Sequence, residues 1–209
     1  MFRYAFQPVA LCYPMVAPPP LNGRLEGWEE RHRLPHWSLE GGEELFAVVW
    51  VAWDLDHLYL AAQVNLRRPP RINPHRYWLG DCFEVFLDLR GELRHNRFTE
   101  HCHHFYALPP GREGRVAFGR CEPGVEHTVQ SPNVQGVRTA GESFPQGYRI
   151  EVALSREALP TYRPEAHRRI GFDYLVRDAA GRVQFWSAGL ELHPYRDPST
   201  WGLLQLTGE

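Results

Sequence analysis

The segment from Trp78 to Asp88 carries the densest set of side chains that could bind a ligand. It combines an indole ring, a Gly80-Asp81 turn and two further carboxylates, Glu84 and Asp88. An aromatic face can stack on the C–H face of a sugar, while a carboxylate accepts hydrogen bonds from its hydroxyls. The segment therefore suggests a site for a polyhydroxylated ligand. A partly exposed sheet face also carries such residues without any ligand, so a purely structural role stays open.

Alternation along residues 82–88 predicts a strand whose two faces differ in character. The face predicted to lie in the core consists of Phe83, Val85 and Leu87. The face that would meet a ligand consists of Cys82, Glu84, Phe86 and Asp88.

The rest of the chain predicts an all-β protein. Eighteen Gly and 18 Pro separate short runs rich in Val, Tyr, Phe and Trp, and no long stretch shows a helical period. Asp54-Leu55-Asp56 predicts a hairpin turn between residues 47–53 and 57–64. Further strands are predicted at residues 81–89, 103–108, 148–154, 170–177, 183–186 and 201–206. Residues 155–159 are expected to form at most a helical turn or two, and residues 109–145 an excursion from one domain.

Composition excludes several classes of protein. The chain has 209 residues, a formal net charge of -2 and 43% hydrophobic residues, which are typical of a soluble globular protein and disfavour nucleic-acid binding. The four cysteines form no C-x-x-C pair. No run is long enough to cross a bilayer, so no membrane association is expected. Taken as the natural start, residues 1–20 lack a secretion signal, which predicts a cytoplasmic protein; a longer natural chain would leave an extracellular location open.

The order of the motifs resembles family 9 carbohydrate-binding modules, part of the wider DOMON-like group. The resemblance covers residues 17–207 of a single domain, 1–209. The motifs that carry it in the first half are Pro20-Leu21-Asn22-Gly23 leading to Trp28, Val51-Ala52-Trp53-Asp54, and Gly80-Asp81 with Glu84-Val85-Phe86-Leu87-Asp88. Those in the second half are Gly147 to Leu154, Ile170-Gly171-Phe172-Asp173, and Pro198-Ser199-Thr200-Trp201-Gly202.

This resemblance implies a fold and a function. The fold would be a two-sheet antiparallel β-sandwich, jelly-roll or immunoglobulin-like, with at most one or two short helices. The function would be non-catalytic binding of a mono- or oligosaccharide, whose end is held between two aromatic rings. No cofactor is required, although some members of the family hold structural calcium. The protein partner, if any, is not indicated.

Five residues become candidate ligand contacts through this resemblance. Trp78 and Glu84 match the family's first aromatic plate and its hydroxyl-binding carboxylate. The second ring would be Trp186 or Tyr195, between which spacing does not choose. Leu175 and Arg177 stand where the family often has amide side chains. Arg177 could instead offer donors to a hydroxyl or to the carboxylate of an acidic sugar.

Two metal sites are weaker hypotheses. His101 and His103 share a predicted strand face and could ligate zinc or copper with a third ligand from another strand. Asp54 and Asp56 could contribute oxygen ligands to calcium, although turn formation also explains them.

Alternative functions remain open at this point. DOMON-like relatives suggest a haem or redox domain, although the two methionines lie outside the predicted core strands. A glycosidase is disfavoured because Glu84 and Asp88 would lie about 13 Å apart along a strand, beyond the spacing used in sugar hydrolysis. A protein-interaction role, or a degenerate module that has lost its sugar, is the third alternative.

Overall fold

The computed structural model describes residues 7–36, 45–187 and 189–208. Part of the N-terminal stretch considered above, residues 1–6, lies outside them. In these ranges the chain forms eleven strands and five single-turn 3-10 helices. The strands are β1 (Val9–Pro14), β2 (Ala47–Trp53), β3 (His57–Asn65), β4 (Cys82–Asp88), β5 (Cys102–Ala107), β6 (Phe118–Arg120), β7 (Val137–Phe144), β8 (Gly147–Ser155), β9 (Arg169–Arg177), β10 (Val183–Phe185) and β11 (Gly202–Leu206). The 3-10 turns are Glu30–His32, Tyr77–Leu79, Arg112–Gly114, Leu190–Leu192 and Pro198–Thr200.

The strands form two layers joined through β1. One layer has the order β6-β5-β4-β9-β11, with β10 also pairing with β9; the other has the order β2-β3-β8-β7. Val9 to Cys12 of β1 pair with β11, and Tyr13 and Pro14 pair with β2. Both of these pairings are parallel, whereas the other strand pairs are antiparallel among the residues described. A nearly closed sandwich results.

The core lies between the two layers and confirms the predicted faces of β4. Phe83, Val85 and Leu87 belong to the main buried cluster together with alternate residues of β3, β8 and β9. The opposite face of β4 is buried as well, but in separate clusters under the surrounding loops. An all-β sandwich with only single-turn helices is therefore confirmed.

Three strands escape the sequence-based prediction. β1, β6 and β7 were not expected, and the interpretation of residues 109–145 as an excursion is wrong for residues 137–144. β7 is missed because its residues are mostly half-exposed or exposed, so the strand lacks an apolar face. Its eight residues all pair with β8, and its first residue, Val137, also packs against the main core. Residues 155–159 form hydrogen-bonded turns, including one from the Leu159 N–H to the Ser155 carbonyl, which agrees with the expectation of at most a helical turn or two.

No helix in the described part of the chain is long and apolar enough to span a membrane.

Candidate functional site

The candidate site lies on the outer face of β4, which turns away from the core. Loops cover this face so completely that Glu84 and Phe86 are fully buried. Trp78 lies in the 3-10 turn Tyr77–Leu79, just before β4, and its side chain is half-buried. The covering loops therefore decide what can reach the strand.

Asp81 fixes the loop that carries Trp78. Its buried carboxylate accepts two hydrogen bonds from the Arg68 guanidinium, at 2.8 and 2.7 Å. It also accepts hydrogen bonds from the backbone N–H groups of Arg71 and Ala179. A bidentate guanidinium pair adds geometric restraint to the attraction of charge. Asp81 therefore ties the loop before β4 to the loop after β9.

Glu84 is the centre of a buried polar cluster. Its Oε2 lies 2.9 Å from His104 Nε2 and accepts a hydrogen bond of 3.2 Å from the Tyr77 hydroxyl. Its Oε1 accepts a hydrogen bond of 3.3 Å from the Tyr195 hydroxyl. Because a buried carboxylate is costly without partners, these contacts are what allows Glu84 to lie out of water.

Burial also keeps the phenols of this cluster in their donor form. Loss of hydration, reinforced by the Glu84 carboxylate, raises the pKa of Tyr77 and of Tyr195 far above the ordinary range. Burial alone would lower the pKa of Arg177, but Tyr195 and Glu84 outweigh it and the pKa rises. At neutral pH the two hydroxyls are therefore protonated donors and Arg177 is a cation.

The ring of His127 lies between two aromatic rings of the site, those of Trp78 and Tyr195. The ring of His127 is nearly parallel to that of Trp78, with centroids 5.2 Å apart and an interplanar angle of 19°. The same imidazole contacts the Tyr195 ring at 6.0 Å in an edge-on arrangement. His127 thus contacts both the first plate and one candidate for the second.

The neighbouring strand β9 lines the other side of the cluster. Arg177 pairs in register with Cys82, and Leu175 pairs with Glu84. One Arg177 Nη donates a hydrogen bond of 3.1 Å to the Tyr195 hydroxyl, and its Nε has no hydrogen-bond partner among the described residues. Leu175 is fully buried, so it forms an apolar wall where an amide would have offered hydrogen bonds.

The structure brings four of the five predicted contacts together and separates the fifth. Tyr195 contacts both Glu84 and Arg177, and Trp78 joins this network through Tyr77, whose hydroxyl holds Glu84. Trp186 lies instead in the main core. The Trp186 indole packs 5.6 Å from Phe172 and donates a hydrogen bond of 2.9 Å to the Pro35 carbonyl. Tyr195 is therefore the candidate ring that shares a site with Trp78.

Three members of the site were not predicted: Tyr77, His104 and His127. For His104 a signal was present, since alternation along β5 places it opposite Phe105, on the outer face. Tyr77 adjoins Trp78 but lies in a turn, where alternation gives no direction. His127 lies in a loop with left-handed backbone, φ 57°, and nothing in its sequence surroundings announces its position.

The predicted histidine pair lies away from this site. His103 is buried in β5, and His101 precedes that strand and lines a cleft of about 280 Å3 near the C-terminal end of β4. None of the side chains around Glu84 line this cleft. Throughout the described ranges, no group of three or more His, Cys, Asp or Glu side chains is placed to hold a metal ion.

Asp54 is occupied by the hairpin turn. Its Oδ1 accepts hydrogen bonds from the N–H groups of Asp56 and His57, at 2.7 and 2.6 Å, and its Oδ2 accepts one of 2.6 Å from the Tyr59 hydroxyl. The Asp54–Asp56 pair therefore does not fit a calcium site. Calcium binding elsewhere stays a prediction.

Solved structures share this fold at low sequence identity. A carbohydrate-binding module of family 9 from Caldicellulosiruptor kristjanssonii, in complex with cellotriose, aligns with a TM-score of 0.63 and 18% identity, over 97% of this chain and 95% of that chain. Its complex with glucose gives 0.61 and 18%, over 94% and 95%. A protein of Bacteroides uniformis, named only provisionally as carbohydrate-binding, gives 0.62 and 14%, over 97% and 100%.

The sequence itself matches one family. No curated protein matches the chain. The model of the carbohydrate family 9 binding domain-like proteins matches residues 28–209, and these include β2 to β11 and the whole cluster around Glu84. The chain therefore belongs to the carbohydrate family 9 binding domain-like family.

Proposed function

We propose that this protein is a non-catalytic carbohydrate-binding module that holds a mono- or oligosaccharide by aromatic stacking and hydrogen bonds. One observation carries the proposal: the half-exposed indole of Trp78 contacts the ring of Tyr77, whose hydroxyl belongs to the buried polar cluster centred on Glu84. An apolar plate beside a small number of fixed polar groups is the usual composition of a small-molecule site.

Each group of the cluster has a role in this proposal. The Trp78 face would stack on the apolar face of a sugar ring, and Tyr195 would supply the second ring. Glu84 would accept hydrogen bonds from sugar hydroxyls, and the Nε of Arg177 would donate one. Because Tyr77 and His104 already hold Glu84, the carboxylate is oriented before any ligand arrives.

The carboxylates near Trp78 support binding rather than hydrolysis. Asp81 is held by Arg68 and by backbone N–H groups, and Asp88 accepts hydrogen bonds from the N–H groups of Arg90 and Glu92. Sugar hydrolysis needs two carboxyl groups facing one bond at about 5–10 Å. Glu84 therefore lacks a free carboxylate partner on its own strand.

Two features guide the choice of sugars to test. The related modules bind cellotriose and glucose, which makes glucose and cello-oligosaccharides the first ligands. Leu175 and Arg177 change the wall of the site from neutral polar to apolar and cationic. Uronic acids therefore form the second group, because a guanidinium recognises a carboxylate.

The test is a titration of the protein with both groups of sugars, followed by tryptophan fluorescence and calorimetry. We expect saturable binding that Trp78→Ala weakens by at least about tenfold, since a stacking plate removed from a binding site costs roughly 1.4 kcal/mol or more.

Trp50→Ala is the matched control, because Trp50 is a half-buried indole on β2 in the other layer. Equal affinity of the wild type and Trp78→Ala would place the site elsewhere. The absence of binding to every sugar would contradict the proposed function. Release of product from chromogenic glycosides would contradict its non-catalytic part.

A further inference from the structure

His127 occupies the space in which the proposed function needs a sugar. Its imidazole stacks on Trp78 with centroids 5.2 Å apart and contacts Tyr195 at 6.0 Å. These are the two rings that would enclose the ligand. A sugar ring and the imidazole cannot both lie against the same face of the indole.

The loop that carries His127 is built as a unit that could move. Its ends are fixed where Cys121 N–H bonds to the His104 carbonyl and Gln130 N–H to the Arg120 carbonyl, at 2.9 Å each. Between them, Glu122 N–H donates to Thr128 Oγ1 at 3.1 Å, which closes residues 122–128 on themselves. Moving these residues would leave that internal bond intact.

The tip of this loop is also loosely covered. The side chain of His127 is 39% exposed, as is that of Glu126, whose carboxylate lies 3.8 Å from the imidazole Nε2. Val125 is 40% exposed. Displacing the tip would break the ring contacts of His127 with Trp78 and Tyr195, so these contacts contribute to the cost of opening.

We propose that His127 gates the sugar site: its ring closes the gap between Trp78 and Tyr195 in the free protein, and a sugar binds by displacing it. This inference rests on the proposed function. The apparent affinity of such a site is the affinity of the open form multiplied by the fraction of molecules that are open. A less stable closed state therefore gives tighter binding. A stacked aromatic pair contributes about 0.5–1.5 kcal/mol, which corresponds to a gain of about 2- to 12-fold when the ring is removed.

The test compares variants that remove or keep the ring. His127→Asn removes it and suits the left-handed backbone at φ 57°, which asparagine tolerates. His127→Tyr keeps an aromatic ring at the same position. Titrated with the sugars above, His127→Asn should bind about 2- to 12-fold more tightly than the wild type, and His127→Tyr should not. The gain should disappear in the Trp78→Ala, His127→Asn double variant. Val125→Ala, in the same loop, should leave the affinity unchanged.

Other results separate the two proposals. If the wild type and His127→Asn bind sugar equally, or if His127→Asn binds more weakly, the gate is wrong while sugar binding stands. If neither binds any sugar, both proposals fail. An independent check is the proton resonance of the His127 imidazole, which the Trp78 ring current should shift upfield in the free protein. A resonance that Trp78→Ala does not move would contradict the stack itself.

Discussion

Glu84 and His104 illustrate how a single buried pair can serve both stability and recognition. Both side chains are buried, and the 2.9 Å contact between them lies on the outer face of the sheet. Removing one partner leaves the other polar group in a low-dielectric surrounding with an unmet hydrogen bond. Replacing Glu84 by alanine would therefore disturb the fold as well as any sugar contact, which is why the binding tests above depend on Trp78.

A double-mutant cycle measures this pair directly. We expect Glu84→Gln and His104→Gln each to lower the free energy of unfolding, and the double variant to lower it by less than the sum. The coupling should be on the order of 1–3 kcal/mol, as for residues that share a buried network. The measurement is urea denaturation of the four proteins. The control cycle joins His104→Gln with Glu142→Gln, whose half-exposed carboxylate lies on β7; these two changes should be additive. Additivity within the Glu84–His104 cycle would show that the contact contributes nothing.

Among the elements, the segment from Met15 to Trp28 covers the outer face of the second layer much as the loops cover the first. Leu21 and Trp28 pack on a buried cluster that includes Tyr59. The carboxylate of Glu151 in β8, fully buried, accepts hydrogen bonds from Gly23 N–H at 2.5 Å and from Trp28 Nε1 at 3.0 Å. One side chain therefore fastens the segment at two points.

Glu151→Gln should loosen this segment. A glutamine side chain keeps one acceptor and turns an N–H group toward a second donor, so one of the two hydrogen bonds is lost. We expect faster amide exchange in residues 15–28 and a loss of about 1–3 kcal/mol in unfolding free energy. Hydrogen-exchange mass spectrometry measures the first effect. Glu142→Gln, on the neighbouring strand, should leave exchange in residues 15–28 unchanged. Unaltered protection in Glu151→Gln would mean that packing alone holds the segment.

The elements also show what the sequence could and could not predict. The hairpin from Ala47 to Asn65 and the strand β8 were predictable because apolar side chains alternate or run together between turn residues. β7 was not predictable, because its side chains on this edge strand are mostly exposed or half-exposed and show no regular alternation of apolar residues. β1 was missed as well. In this short strand between the two layers, Val9 and Leu11 are exposed although they are apolar, and they alternate with buried Ala10 and Cys12.

The candidate site was also only partly predictable from the sequence, but for a different reason. Trp78, Glu84 and Arg177 were predictable because a strand or a family motif fixes their place. The choice of Tyr195 over Trp186 and the position of His127 depend on loops that approach β4 from distant parts of the chain. A loop's path is set by tertiary contacts such as the Asp81–Arg68 pair, which leave no local pattern in the sequence.

For the molecule as a whole, burial also has an electrostatic consequence, because the core-facing side of β5 carries a titratable group that is not part of the site. His103 is 6% exposed, its Nδ1 lies 3.3 Å from an Arg120 Nη, and its ring stacks on Phe105 at 5.8 Å. Burial first, then the charges of Arg120 and His101, lowers the pKa of His103 from 6.5 to about 3. The imidazole is therefore neutral in the folded protein at neutral and mildly acidic pH.

This neutral histidine should make the protein sensitive to acid. Between about pH 6.5 and pH 3 the unfolded chain binds a proton at His103 and the folded protein does not, so stability falls as the pH is lowered through this window. At pH 5 the loss from this one group is about 2 kcal/mol, or roughly 4–8 °C in melting temperature for a domain of this size. His103→Gln, which has no such proton to bind, should lose correspondingly less between pH 7.5 and pH 5. Thermal melts at both pH values measure the difference, with His95→Gln as the control because His95 is 61% exposed. Equal acid sensitivity of the wild type and His103→Gln would show that His103 takes up its proton without unfolding, and that other groups set the acid limit of the fold.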